Sequence, residues 1–212
     1  LNIITSLTGH GLYAITNGPR IDLLDAVEQA LSGGARLLQY LDEETDRDRQ
    51  RAEATAILQL CHRYGVPMII HEDVAMALAV GADGVHVGSA TDGLDYARAQ
   101  LGPAAIVGVA CRDSLDNART AVCGGASYVS FGAFFPSPTK PLAPRVPVEL
   151  LRQSASLGLP RVAIGGITAD NGGVLVEAGA DYLAAISSVF GTDDIRHAAR
   201  CLADLYIQTP ED

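Results

Sequence analysis

Lysine is almost missing from this chain of 212 residues: Lys140 stands alone beside fourteen arginines, and the 15 basic residues face 25 acidic ones for a formal charge of −10. That deficit argues against nucleic acid or anionic membrane as a general partner, because either would need a basic surface. Any anionic ligand must be gripped locally. Apolar runs of the ~20 residues that span a bilayer are lacking too, as is a basic segment leading into a secretory hydrophobic core. These absences point to a cytoplasmic chain, although Leu1 in place of Met leaves upstream targeting open. Cys61, Cys111, Cys123 and Cys201 have neither metal-ligand spacing nor a small secreted framework around them, and so read as reduced thiols. No Pro/Ser-rich linker divides the sequence, which reads as one domain over 1–212, with 1–10 set apart as a candidate N-terminal extension.

What is present is a core. Hydrophobic residues make up 48% of the chain, and they are organised. Runs rich in apolar and β-branched residues recur as "LYAIT" from Leu12, "RLLQYL" from Arg36, "PMIIH" from Pro67, "GVHVG" from Gly84, "AIVGVA" from Ala105, "YVSFGAFF" from Tyr128, "RVAIGG" from Arg161 and "YLAAIS" from Tyr182. A helical pattern follows each. In the first, Leu23, Leu24, Val27 and Leu31 share a face; in the last, Ile195, Ala198, Leu202 and Leu205 do, behind Asp193 and Asp194 where the helix dipole favours acids. Glycine precedes the strand in "GGARLL", "GADGVHV", "GGASYVSF" and "GADYLAAI", as suits a left-handed helix C-cap. Eight strand-helix units in about 200 residues predict an α/β fold, a closed (β/α)8 TIM barrel, with a doubly wound open sheet as the alternative.

Barrel chemistry sits on the loops after the strands. Those loops collect Asn17, Gln39 to Glu44, His71 to Asp73, Ser89 to Asp92, Ala110 to Asp113, Phe135 to Lys140, Gly165 to Thr168 and Ile186 to Ser188. "IGGI" and "AISS" offer the backbone N–H groups of Gly165, Gly166, Ser187 and Ser188 as a phosphate cradle that needs no basic side chain; a plain tight turn is the other reading. Lys140, in "FFPSPTKP", is either a compact point charge at the mouth or an exposed lysine without a role. Asp42, Glu43, Glu44 and Asp46 crowd the end of the second strand, where a helix cap, a metal site or an altered phosphate site would each fit.

The order "LYAIT", "LLQY", "II-x-x-D" at Ile69 to Asp73, "GADGVHVG", "FGAFFPSPTKP", "AIGGIT" and "GADYLAAIS" resembles the thiamine phosphate synthase family across nearly the whole chain. The resemblance implies a transferase of thiamine biosynthesis, in which a hydroxymethylpyrimidine diphosphate loses diphosphate with Mg2+ assistance and the thiazole nitrogen of a thiazole phosphate captures the resulting cation. By position, the thiazole phosphate would meet Ser137, Thr139, Gly166, Ile186 and Ser187, with Lys140 reaching toward the diphosphate as a catalytic residue. The other half departs from the family pattern. Of its Gln-x-Arg-x-Lys clamp Gln39 survives, but Leu41 and Glu43 replace the cations. Asn-Asp after the third strand is His71-Glu72, a serine after the fifth is Ala110, and a histidine nearby is Arg112, a second catalytic candidate. The magnesium carboxylates fall on Glu72 and Thr91, with Asp92 as a substitute one residue away. The resemblance implies Mg2+, and these exchanges weaken that expectation.

Three readings therefore compete: a synthase-family enzyme with activity weakened or lost, a thiazole tautomerase-like relative, and a binding or regulatory protein that retains the phosphate cradle without the chemistry. Glu43, His71, Glu72 and Asp73 also make a mixed set that suits a transition metal, against the plainer reading of solvated loop residues. Elsewhere ordinary structural roles are expected. His86, between Val85 and Val87, fills the barrel or its rim; Cys111 is a buried thiol; Arg47, Arg49 and Arg51 form a charged helix start; Tyr128, Phe131, Phe134 and Phe135 are strand core. Partners are small phosphate ligands, and analogy with other barrels suggests a homodimer.

Overall fold

The computed structural model describes residues 7, 9–137, 141–142 and 144–207. Thr139 and Lys140 lie outside the described residues, as does all of the 1–10 stretch except Leu7, Gly9 and His10. Eight strands follow one another as β1 (Gly11–Ile15), β2 (Ala35–Tyr40), β3 (Met68–His71), β4 (Gly84–Val87), β5 (Ile106–Arg112), β6 (Tyr128–Phe131), β7 (Arg161–Ile164) and β8 (Tyr182–Ala185). Each pairs in parallel with the next, and β8 returns to β1 with Leu12 opposite Leu183, so the sheet closes and the open-sheet alternative falls.

Closure gives every strand two buried faces. In β1, Leu12 and Ala14 point outward into the layer shared with the helices, while Tyr13 and Ile15 point inward. Leu37, Ile69, Ile106, Tyr128, Val162 and Tyr182 join them inside, and Leu7 packs onto the same cluster. The interior is tight: a Cβ at Gly108 would overlap the Tyr128 ring, so glycine on β5 makes room for the tyrosine of β6.

Outside run α1 (Leu23–Ser32), α2 (Arg47–Arg63), α3 (Val74–Val80), α4 (Asp92–Leu101), α5 (Leu115–Cys123), α6 (Glu149–Gln153), α7 (Ala169–Glu177), α8 (Ser187–Phe190) and α9 (Ile195–Ala203). Gly34, Gly81, Gly125 and Gly179, the glycines of the echo, all take positive φ where a helix ends. Asp194 caps α9 by accepting from the His197 N–H, whereas Asp193 lies ahead of the cap.

Three expectations shift in detail. Leu24 is 44% exposed, because a helix turned to bury Leu23, Val27 and Leu31 carries the i+1 position toward solvent. In α9 the buried set is Ile195, Ala199 and Leu202, with Ala198 and Leu205 at its margin. The sixth strand stops at Phe131 instead of running through Phe135, yet its pairing continues: Phe134 N–H donates to the Ile164 carbonyl and Phe135 N–H to that of Gly165. Phe134 remains buried as part of a loop.

Candidate active site

That continued pairing builds one side of the mouth. It lays residues 134–136 directly on the turn after β7, where Gly165 and Gly166 have φ of 104° and 62°. A Cβ on Gly166 would strike the Pro136 carbonyl, so only glycine fits beneath the loop carrying Ser137. Asn171 fixes the turn by donating from Nδ2 to the Gly166 carbonyl at 3.0 Å. Beside it, on the neighbouring strand, α8 opens directly after β8; Val189 and Phe190 N–H both reach back to the Ile186 carbonyl, which leaves Ser187 and Ser188 N–H ahead of the helical ladder. Ile186 packs with Ile164 and Leu41 on the inner cluster and forms an apolar rim. Backbone donors at a helix start beside an apolar rim suit a phosphate carried on a small ring.

The opposite side answers the question raised by the acidic stretch. Asp42, whose side chain is fully buried, pairs with Arg49 at 2.6 Å and accepts the Glu44 N–H at 2.9 Å. Burial raises its pKa, but Arg49 and the Glu44 N–H together hold it below the ordinary carboxylate range. Arg49 also meets Glu53 at 2.9 Å and Glu44 at 3.4 Å, and Tyr40 donates to Glu53 at 2.7 Å. Asp46 is the N-cap of α2, accepting from the Arg49 N–H, and Gln50 donates to the carbonyls of Asp42 and Glu44. Three of the four acids are thus structural. Glu43 remains exposed, with no hydrogen bond or ion pair to the described residues.

Leu41 is half-buried, its N–H and carbonyl both held by the Thr16 hydroxyl. Gln39 is buried and donates from Nε2 to His71 Nδ1 at 3.0 Å while its Oε1 accepts from Tyr13 at 2.7 Å. His71 sits opposite His86 in the β3–β4 register. Burial, then the neighbouring His71, push the His86 pKa down to about 3. Ala110 and Arg112 flank a bulge at the end of β5, and Cys111 between them is buried, its thiol pushed up to about 12 by desolvation. Arg112 itself is exposed.

Glu72 and Arg112 are the two non-glycine residues with positive φ among those described, at 54° and 55°. Such backbone is costly and gathers at functional sites. Glu72 reaches over Gly88, where a Cβ would come within 2.8 Å of its Oε1. Thr91 is the N-cap residue of α4 and Asp92 its first residue, both exposed. Asp73 is already engaged as the cap of α3 and the partner of Arg47. No group of three or more His, Cys, Asp or Glu side chains able to hold a metal occurs among the described residues, which removes the transition-metal reading there. The hard oxygens of Glu72 and Asp92 are nevertheless compatible with Mg2+, an ion usually bound by one or two carboxylates together with substrate phosphates.

The sequence had marked His86 and Tyr128 only as packing, and Tyr13 and Ser130 not at all. Inside the barrel these four join Gln39 and His71 in one hydrogen-bonded network. The alternation of β1, β4 and β6 was the available signal for their inward direction, but not for their meeting.

A family model described as thiamine monophosphate synthase matches residues 12–189. A thiamine-phosphate synthase of Thiobacillus denitrificans is 48% identical over 205 residues, covering 95% of this chain and 97% of the relative. Another, of Halorhodospira halophila, is 48% identical over 193 residues, covering 91% and 92%. The solved structure of a thiamine phosphate pyrophosphorylase from Pyrococcus furiosus superposes with a TM-score of 0.83 at 32% identity, covering 93% of this chain and 96% of that one.

Proposed function

The chain belongs to the thiamine monophosphate synthase family, a family of thiamine biosynthesis, and from that premise we propose that its barrel mouth joins hydroxymethylpyrimidine diphosphate to thiazole phosphate at a reduced rate. The observation that carries this reading is the asymmetry of the mouth. By the family pattern, Ser137, Gly166, Ile186 and Ser187 would take the thiazole phosphate through backbone and hydroxyl donors, and Thr139, outside the described residues, belongs to the same sequence motif. Gln39, Leu41, Glu43, His71 and Ala110 form the side that takes the pyrimidine diphosphate, where the two cationic clamp positions are now apolar and acidic.

In the reaction the carbon–oxygen bond to diphosphate breaks, the electron pair leaves with it, and the thiazole nitrogen closes a new bond to the pyrimidine methylene carbon. By the family pattern, Arg112 and Lys140, the latter outside the described residues, would meet the departing charge, whose stabilisation lowers the barrier. Glu72 and Asp92 would hold Mg2+, which when bound neutralises diphosphate. Leu41 brings apolar surface to the place where that charge develops, and Glu43 repels it.

A tautomerase-like reaction is disfavoured by the region around β5, where Cys111 is buried and Arg112 replaces a histidine. A phosphate-binding protein without turnover is the second reading, favoured by the exposed Glu43. Cytoplasmic residence and a homodimer belong to the proposal on family and fold analogy; no described helix is long and apolar enough to cross a membrane.

Calorimetry with thiazole phosphate, followed by an assay for thiamine phosphate from both substrates with Mg2+, tests the reading. Binding with slow, Mg2+-dependent product formation is expected. Binding without product selects the second reading, and no heat with thiazole phosphate but clear heat with an unrelated phosphate removes both.

A further inference from the structure

The polar network inside the barrel has a direction. Gln39 Oε1 has no hydrogen to give, so the Tyr13 hydroxyl donates to it at 2.7 Å and spends its only proton there. Tyr128, 2.8 Å from Tyr13, must then donate to the Tyr13 oxygen, and spends its proton in turn. His86 Nδ1, 3.1 Å from the Tyr128 oxygen, is left to donate, which makes His86 Nε2 the acceptor of the Ser130 hydroxyl at 3.5 Å. At the other end the Gln39 amide nitrogen donates to His71 Nδ1 at 3.0 Å, so His71 carries its hydrogen on Nε2.

We propose that this is a one-way chain, from Ser130 through His86, Tyr128, Tyr13 and Gln39 to His71, in which Tyr13, Tyr128 and His86 act as positioning residues that fix the Gln39 amide in one orientation and the two histidines in opposite tautomers. Reversing any one link requires reversing all of them, because each hydroxyl has one proton and each neutral imidazole one N–H. The chain is sealed at its centre: Tyr13 and Tyr128 are 1% and 0% exposed, and among the described residues no buried side-chain nitrogen or oxygen lacks a partner. Burial raises both tyrosine pKa values, which keeps their donor protons in place. The consequence is specificity on the pyrimidine side, where Gln39 and His71 offer one fixed donor pattern. That consequence rests on the function proposed above; the tautomers do not.

Long-range 1H–15N spectra of the imidazole nitrogens in uniformly 15N-labelled, ligand-free protein test it, with His71→Asn and His86→Gln variants assigning the two rings among the five histidines. The expected result is Nε2–H at His71 with Nδ1–H at His86 in the wild type. Tyr128→Phe, which removes both the acceptor of His86 Nδ1 and the donor that commits the Tyr13 proton to Gln39, returns His86 to the commoner Nε2–H form and lets a second tautomer of His71 appear. The same tautomer at both histidines, or a His86 signal unmoved in folded Tyr128→Phe, overturns the proposal, and the wild-type spectrum alone decides it if the variant does not fold. A synthase assay without product would leave this result untouched.

Discussion

Exchanging Leu41→Arg together with Glu43→Lys should restore a grip on diphosphate. Both positions lie in a loop that Arg49, Gln50 and Thr16 hold through Asp42, Glu44 and the Leu41 backbone, so neither side chain carries the loop's own structure. Leu41 is only half-buried at the rim and Glu43 is exposed, which gives the longer cationic side chains room. Each new charge-assisted hydrogen bond to phosphate contributes roughly 1.5–3 kcal/mol, and two give about 3–6 kcal/mol before the lifted repulsion of Glu43 is added. At about 1.4 kcal/mol per tenfold change, that is on the order of two to four decades in affinity for the pyrimidine diphosphate. Because the same charge develops further as the bond breaks, kcat should rise as well. Steady-state kinetics of thiamine phosphate formation, varying each substrate in turn, reads the effect. A double variant that folds, binds thiazole phosphate and yet gains less than tenfold in kcat/KM for the pyrimidine diphosphate would refute the assignment of these residues to the clamp.

Other consequences can be measured separately. Gly166→Ala forces a Cβ into the Pro136 carbonyl on left-handed backbone that alone costs about 1–2 kcal/mol; calorimetry should show thiazole phosphate affinity falling tenfold or more, and an unchanged affinity would clear the turn of a role. Arg49→Met strips the buried Asp42 of its cation, so hydrogen exchange at Leu41 and Glu44 should quicken and the melting temperature fall, while unchanged protection would mean that the ion pairs do not hold the loop. His86 binds its proton only near pH 3 when folded but near 6.5 when unfolded, so the unfolded chain holds more protons between those values and stability declines as pH falls through that window, by at most about 1.4 kcal/mol per pH unit. His86→Gln should flatten that part of the denaturation profile, and an equal slope would contradict the buried neutral ring. Thiol labelling at pH 8 should modify exposed Cys123 rapidly and spare Cys61 and Cys111 until unfolding, since burial raises both thiols and closes them to reagent.

The barrel was legible because each strand is a short apolar run and four helices stop at glycines that the backbone does use in positive φ. Its errors have physical sources. Phe134 and Phe135 look like strand because they are apolar, yet a loop that pairs with the turn after β7 buries such residues as well. Leu24 was placed on the wrong side by counting an adjacent residue as part of the apolar stripe. The acids of the second loop left a helix cap, a metal site and an altered phosphate site open, because Arg49 lies on the next helix and only folding brings its guanidinium back over Asp42. That pairing, with Asp46 as the α2 cap, leaves Glu43 as the single acid of the group free of a structural duty among the described residues. The inner network was the least legible. Tyr13, Gln39, His71, His86, Tyr128 and Ser130 sit on five strands, each an isolated polar residue in an apolar run, and strand tilt inside a closed barrel decides which of them share a level.

The most direct measurement is a crystal soaked with thiazole phosphate, diphosphate and Mg2+ together. The account predicts thiazole phosphate against Gly166 and Ser187, with no ordered diphosphate on the Leu41 side. Diphosphate and Mg2+ well coordinated beside Glu43 would contradict it.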